Sequence, residues 1–297
     1  MKIAIADIGS NTVKMTVFDE DNNIVFKKSK PVGLIGYIKD GILSEEGITL
    51  LTDTLAAYYL LALKQGADTL YPFATASLRA AENSDEVITH VKRTLALTVD
   101  LVSGEEEAAL SLAGVSLAGD VTLENALLLD MGGGSCEVIS KEKALSFPIG
   151  SLALFRRFVS GILPTKEELT RVYGYVKGLI ATETLPHGRG ELLAVGGTLR
   201  AFCQFHAAVY GKSFSEERPY TVTREELVRL LTLTCEKSLE TRMTLIRLIP
   251  ERMHTFATGL TAVLALADTL GKDRFTVVSG GAREGYLMKI RKTLAEG

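Results

Sequence analysis

Two short stretches end an apolar run in a carboxylate and follow it at once with small residues: Asp7-Ile8-Gly9-Ser10-Asn11, and Asp130-Met131-Gly132-Gly133-Gly134 before Ser135. Phosphate chemistry accounts for that combination. Glycines let the main chain approach an anion and present N–H donors to its oxygens, while a nearby carboxylate can hold Mg2+ directly or through water. Taken singly, each stretch also reads as an ordinary Asp-Gly hairpin turn. Repetition favours the chemical reading, because each heads the same succession of apolar run, tight turn, second run, polar turn and third run. Two such hairpins, one per lobe, are expected to clasp a phosphate group from opposite sides, with Asp7 and Asp130 facing each other.

Two further side chains have the right chemistry. Glu107 follows Ser103-Gly104-Glu105-Glu106, a capping-box pattern, and shares a helical stripe with Leu110 and Gly114, so it is expected to point inward while Glu106 faces solvent. An acid in the first turn of a helix is also what the helix dipole favours without any catalytic role. Arg79 ends Ala74-Thr75-Ala76-Ser77-Leu78; its guanidinium fork suits phosphate oxygens, and a solvated surface arginine would read the same. His90, His187, His206 and His254 lie far apart with no ligand spacing. Cys136, Cys203 and Cys235 are odd in number and form no CxxC pair, which fits a reducing cytoplasm and supports neither a disulfide framework nor a thiolate zinc site.

The elements that must position these residues alternate. Lys2 to Ala6, Thr12 to Phe18 and Ile24 to Lys28 read as three antiparallel strands. A helix from Ser44 to Gly66, a strand near Thr69 to Ala74, a helix from Ser84 to Leu95 and a strand near Thr98 to Val102 follow. From Ala126 the chain restarts with the same three-strand theme. Capping boxes at Thr165 to Glu168 and Thr223 to Glu226 open later helices, an Ala- and Leu-rich helix spans Phe256 to Leu270, and strands at Leu192 to Val195 and Phe275 to Val278 end in glycine. This is an α/β protein, expected as two lobes over residues 1–120 and 121–297, the boundary falling near 118–125.

Composition sets outer limits. A chain of 297 residues, 46% hydrophobic and 23% charged with 7 prolines, has enough apolar content for a sizeable core and excludes disorder or collagen-like repeats. Thirty-three Lys and Arg against 36 Asp and Glu leave a formal charge of -3, too balanced to coat a nucleic-acid polymer. Any anion must be held by a local site. The apolar runs fall short of a membrane span, and the start is too short for a signal peptide, so a cytoplasmic location is expected.

These residues together resemble the exopolyphosphatase and guanosine pentaphosphate phosphohydrolase family, a branch of the actin, sugar-kinase and Hsp70 superfamily. The resemblance runs along essentially the whole chain. Its carriers are Asp7 to Asn11, Ala74 to Arg79 with Ala81 and Asn83, Ser103 to Ala108, Asp130 to Ser135 with Glu137, Phe147-Pro148-Ile149-Gly150, Val195 to Thr198, and Ser279-Gly280-Gly281-Ala282-Arg283-Glu284-Gly285. It implies two ribonuclease-H-like lobes with an interlobe active site that hydrolyses a terminal phosphoanhydride with Mg2+, Mn2+ being the alternative ion. By this resemblance Glu107 is the general base that orients the attacking water, and Arg79 is the cation on the phosphoryl oxygens. Asp7, Asp130 and Glu137 are the metal-site carboxylates, and Gly9, Ser10, Asn11, Gly132, Gly133, Gly134, Ser135, Gly196 and Gly197 bind phosphate.

The chain departs from the family pattern at several points. Cys136 stands where threonine is usual, Gly33 and Ala153 where arginines are common, and Arg252-Met253-His254 in place of a more usual Arg-Ala-Asp. The C-terminal helical domain of longer members is not expected here. The expected substrate is therefore short-chain inorganic polyphosphate or a guanosine penta- or tetraphosphate, pppGpp foremost, with a homodimer as the compatible assembly. A kinase-like phosphotransferase and a non-catalytic alarmone or nucleotide binder share the fold and stand as the alternatives.

Overall fold

The computed structural model describes residues 1–119, 121, 123–236 and 238–296. The chain folds as two compact units, Met1–Leu110 with Ala282–Gly297, and Ser111–Gly281.

The first unit opens with β1 (Lys2–Ile8), β2 (Thr12–Phe18) and β3 (Ile24–Pro31), an antiparallel meander followed by a 3-10 turn at Leu34–Tyr37 and a small hairpin of β4 (Ile38–Lys39) and β5 (Ile42–Leu43). Helix α1 (Glu45–Lys64) then starts where the Ser44 hydroxyl accepts the Gly47 N–H. Strand β6 (Ala67–Ala74) joins β1 in parallel, a single turn α2 (Ala76–Arg79) and helix α3 (Ser84–Leu95) follow, and β7 (Asp100–Leu101) completes a sheet of order β3-β2-β1-β6-β7. β1 is buried on both faces, so it reads as an apolar run rather than an alternation. Ala4, Ala6 and Ile8 pack towards the α1 and α3 side, and Ile3 and Ile5 towards a second cluster with Phe18, Phe73, Val102 and Leu110. Asp7, in register with Ile3 and Ile5, belongs to the second face. Helix α4 (Gly104–Ala118) follows and carries Glu107.

The second unit repeats the plan. Strands β8 (Leu127–Met131), β9 (Cys136–Ile139) and β10 (Ala144–Phe147) form the meander, followed by α5 (Ser151–Phe158) and α6 (Lys166–Ile180). Strand β11 (Leu192–Val195) leads into α7 (Gly197–Tyr210). Then come β12 (Tyr220–Thr223), α8 (Arg224–Glu236), α9 (Leu239–Leu248), α10 (Phe256–Thr269) and β13 (Arg274–Val277). The sheet order is β10-β9-β8-β11-β13-β12, with β11 and β13 parallel to β8 and β12 an antiparallel edge. The shared order of three antiparallel strands and then parallel ones is the ribonuclease-H-like arrangement expected of each lobe. Among the described residues no helix is long and apolar enough to cross a membrane.

The compact units differ from the expected lobe limits of 1–120 and 121–297 in two places. The division falls inside α4, after Leu110, because beyond it Gly114 lies against the Gly280–Gly281 main chain. The last helix, α11 (Ala282–Glu296), returns to the first unit, where Tyr286, Leu287 and Ile290 bury against Ile3, Ile5 and Phe73. Residues 120 and 122 of the expected boundary lie outside the described residues.

Candidate active-site residues

Asp7 sits one residue before the end of β1, directly across from Lys14 of β2, with Ile8 opposite Val13 and the Gly9 N–H donating to the Thr12 carbonyl at 3.2 Å. The turn's carbonyls are tied back to the chain after β3: Ser10 accepts from the Ile35 N–H (3.2 Å), and Asn11 from those of Val32 and Gly33 (2.9 and 2.8 Å). Among the described residues the N–H groups of Ser10 and Asn11 donate to no carbonyl. The Ser10 side chain is 3% exposed, yet its Oγ has no hydrogen-bond partner. A buried hydroxyl with no partner is costly in a sealed core and natural in a cradle built for ligand oxygens.

The second hairpin has the same register. Asp130 pairs with Glu137, Met131 with Cys136, and the Gly132 N–H donates to the Ser135 carbonyl at 3.0 Å. Here the carbonyls turn to the N-terminal end of α5. Gly132 accepts from the Ser151 N–H (3.0 Å), Gly133 from those of Leu152 and Ala153 (2.9 and 3.0 Å), and Gly134 from that of Gly150 (3.2 Å). The N–H groups of Gly133, Gly134 and Ser135 again donate to no described carbonyl. Both loops therefore spend their acceptors on their own fold and not these donors, an arrangement that suits an anion.

The two hairpins differ in one decisive side chain. Both Asp7 with Lys14 and Asp130 with Glu137 are cross-strand pairs, which places their Cβ atoms about 5 Å apart on one face. The first hairpin thus pairs its carboxylate with a cation, and the second pairs it with another carboxylate. Glu137 is 1% exposed and its Oε1 accepts from the Ser146 hydroxyl at 2.7 Å, while Asp130 Oδ2 accepts from the Ser111 hydroxyl. Lys14, Ser111 and Ser146 are absent from the sequence expectation. Laying the two Asp-x-Gly hairpins over one another would have found Lys14, which takes the place of Glu137. The two serines have no such signal.

Oxygen ligands from Asp130 and Glu137 fit Mg2+, which is commonly bound through one or two carboxylates with water and phosphate oxygens completing its shell. Among the described residues no three His, Cys, Asp or Glu side chains are gathered closely enough to hold a metal ion, so protein ligands here would number two. The neighbouring Cys136 thiol is fully buried; burial, and then the Glu137 and Asp130 charges, push it well above its usual range, so it stays a neutral thiol.

In the first unit Glu107 points inward, as its helical stripe predicts, and is 9% exposed. Its Oε2 accepts from Arg79 Nη1 at 2.7 Å, and the same Nη1 reaches the Val102 carbonyl at 2.9 Å. The single turn α2 supplies Arg79, and its preceding residue Thr75 hangs from the end of β1 through a bond from its N–H to the Ile8 carbonyl (3.4 Å). Gly196 and Gly197 join β11 to α7. Gly196 has φ 119, and a Cβ there would strike the Met131 carbonyl, so its smallness serves the approach of β11 to β8. The Arg252 guanidinium lies against Gly197. Burial and the nearby Arg200 both lower its pKa, with Glu251 opposing them.

Residues 16–294 match the model of the Ppx/GppA phosphatase family. Exopolyphosphatase 1 of Mycobacterium tuberculosis is 24% identical over 311 residues, an alignment covering all of this chain and 90% of that protein. Guanosine-5'-triphosphate,3'-diphosphate pyrophosphatase of Aeromonas hydrophila is 29% identical over 308 residues and 96% of this chain, which spans 58% of that longer relative. Among solved structures, the Ppx/GppA family member of Aquifex aeolicus aligns with a TM-score of 0.78 at 24% identity over 100% of this chain and 99% of its own. An exopolyphosphatase from Cytophaga hutchinsonii aligns at 0.80 and 21% identity over 98% and 97%. These structural likenesses establish the fold.

Proposed function

The chain belongs to the Ppx/GppA phosphatase family, and from that premise we propose that it releases the terminal phosphate of short-chain inorganic polyphosphate, or of pppGpp, by attack of water on a phosphoanhydride in the cytoplasm. The observation that carries the reading is the pair of register-matched hairpins whose carbonyls are tied back and whose N–H donors are kept. Polyphosphate and pppGpp enter because the relatives above are named for those substrates.

Phosphoryl transfer asks for little covalent chemistry, so positioning and charge neutralisation do the catalysis. Glu107 orients the water and takes its proton on a carboxylate oxygen. Arg79 holds Glu107 and Val102 through Nη1, which leaves the other guanidinium donors for phosphoryl oxygens. The loop N–H groups of the two hairpins bind the phosphates, and Lys14 adds a cation beside the first. Asp130 and Glu137 would hold Mg2+ or Mn2+, oriented by Ser111 and Ser146. An ion held there would supply charge neutralisation for the phosphate oxygens.

The test is phosphate release from polyphosphates of graded length, pppGpp and ATP, with and without Mg2+, alongside ATP with sugar or acetate acceptors. The proposal expects Mg2+-dependent release from polyphosphate or pppGpp and an efficiency that levels off after a few phosphate units, since Gly33 and Ala153 leave the track beyond the cradle without two cations. Efficiency rising through chains of hundreds of units would refute the length preference. Transfer to a sugar or acetate in place of hydrolysis would refute the reaction.

A further inference from the structure

Lys289 lies on α11, 182 positions along the chain from Glu107, and its ammonium bridges two carboxylates: Glu106 Oε1 at 2.6 Å and Asp100 Oδ2 at 2.7 Å. Tyr286, one turn earlier on α11, donates its hydroxyl to the same Asp100 oxygen at 3.3 Å and packs its ring on Phe73 with centroids 4.5 Å apart. Phe73 is the parallel-strand neighbour of both Asp7 and Asp100. At Gly285 the α11 main chain comes so close to α4 that a Cβ would collide with the Leu110 carbonyl. From Gly285 to Lys289 is one turn up α11, and from Leu110 to Glu106 is one turn down α4. The two helices therefore run antiparallel, with one contact at each end of a turn.

From this geometry we infer that Lys289 is a positioning residue for Glu107, acting through Glu106 to fix the rotation of α4 about its own axis. The inference rests on the general-base role proposed above. Adjacent residues of an α-helix point about 100° apart. Glu107 is drawn to Arg79 and Glu106 to Lys289, so the first turn of α4 is held from two directions. Without Lys289 the first turn loses its outer charged tether, and a small roll of the helix is opposed by its inner-face contacts, the Ser103 cap and the packing at Leu110. A roll of about 20° moves a carboxylate standing roughly 6 Å off the axis by about 2 Å, and misplacing a catalytic group by about 1 Å can cost on the order of 10²-fold in rate. Lys289, Asp100 and Glu106 are each between a third and two fifths exposed, and ion pairs that open to water add little to stability. Their removal should therefore be felt in turnover far more than in melting.

The experiment compares wild type with Lys289→Met, which keeps the length of the side chain without its charge, and Lys289→Arg, which restores a cation. Three readouts are taken: kcat and KM for phosphate release from short polyphosphate and pppGpp, the thermal midpoint, and amide exchange at residues 107–110. The expected result for Lys289→Met is a kcat lower by about 10- to 100-fold, a KM within about threefold, a nearly unchanged midpoint and faster exchange confined to 107–110. Lys289→Arg should recover most of the loss. Unchanged kcat in Lys289→Met would overturn the inference. So would an equal loss in both variants, or a loss that tracks a falling midpoint. If wild type releases phosphate from neither substrate, the proposed function fails on its own, and exchange alone then judges the restraint: localised acceleration supports it, and unchanged exchange overturns it.

Discussion

Glu107 rests in an ion pair with Arg79, so its replacement by glutamine separates two roles. Glutamine keeps the carbonyl that Arg79 can hold but cannot accept a proton from water at neutral pH. Glu107→Gln should therefore keep the fold and lower turnover by roughly 10²- to 10⁴-fold, the usual worth of a placed general base. Glu105→Gln, on the exposed side of the same turn, is the control, and near-normal turnover in Glu107→Gln would move the base elsewhere. Glu106, which the helical stripe alone would send to solvent, is engaged by Lys289 and is not a silent control. A second prediction concerns Ser146→Ala, which takes a 2.7 Å donor from the buried Glu137. It should cost about 1–3 kcal/mol, visible as a lower melting midpoint and, on the Mg2+ site proposed above, as weaker protection by added Mg2+ against heat. The inwardness of Glu107 was legible because it depends only on helical spacing. Lys14 was within reach by laying the second hairpin over the first, whereas Ser111 and Ser146 were not, because their bonds to Asp130 and Glu137 are set by packing between separate segments and by strand register.

Among the elements, the start of α8 offers a test by pH. Thr223 and Glu226 form a two-way cap: the Thr223 Oγ1 accepts the Glu226 N–H at 3.2 Å and the Thr223 N–H donates to Glu226 Oε2 at 2.9 Å. Burial opposes the Glu226 charge, but the Thr223 N–H, Lys212 and His206 outweigh it and hold the carboxyl down to about 2. His206, wholly buried and bonded to the Tyr220 hydroxyl at 2.8 Å, is lowered chiefly by burial. Both shifts act in the same direction. A carboxylate depressed when folded contributes stability above its unfolded pKa of about 4.3 and loses it as pH falls towards 2. A histidine kept neutral when folded costs stability once pH falls below about 6.5, where the unfolded chain takes up the proton. The melting midpoint should decline in two stages on acidification, and Glu226→Gln, which can still cap, should flatten the lower one. An unchanged acid limb in that variant would refute the assignment. The capping boxes at Thr165 and Thr223 were readable in the sequence because caps are local. At Ser103 only half the box forms, the Ser103 hydroxyl accepting the Glu106 N–H, since the Glu106 side chain goes to Lys289. Helix α7 escaped the reading because its polar stripe is only Arg200 and Gln204, while eight residues from Thr198 to Ala207 are buried.

For the whole molecule, the internal repeat gave away the α/β class and the doubled sheet, but not where the chain divides. The return of α11 is a tertiary choice: Tyr286, Leu287 and Ile290 are apolar residues that either unit could have buried. Burying a large apolar side chain is worth about 1.5–3 kcal/mol, so three together approach the net stability of an ordinary domain, roughly 5–15 kcal/mol. Truncation after Gly281 should therefore leave the first unit molten or unfolded, with dye binding to exposed apolar surface and lost near-ultraviolet dichroism. A truncated chain that melts like wild type would refute the assignment of α11. The same feature sets an order of events during synthesis. The second unit, Ser111–Gly281, is continuous in sequence, whereas the first is split around it. A ribosome adding about 5–20 residues per second has the 171 residues of Ser111–Gly281 to make before it reaches Ala282. The nascent amino-terminal portion thus waits on the order of 10–30 s with Ile3, Ile5 and Phe73 lacking the cover of Tyr286, Leu287 and Ile290, a window in which chaperones have their best access to this protein.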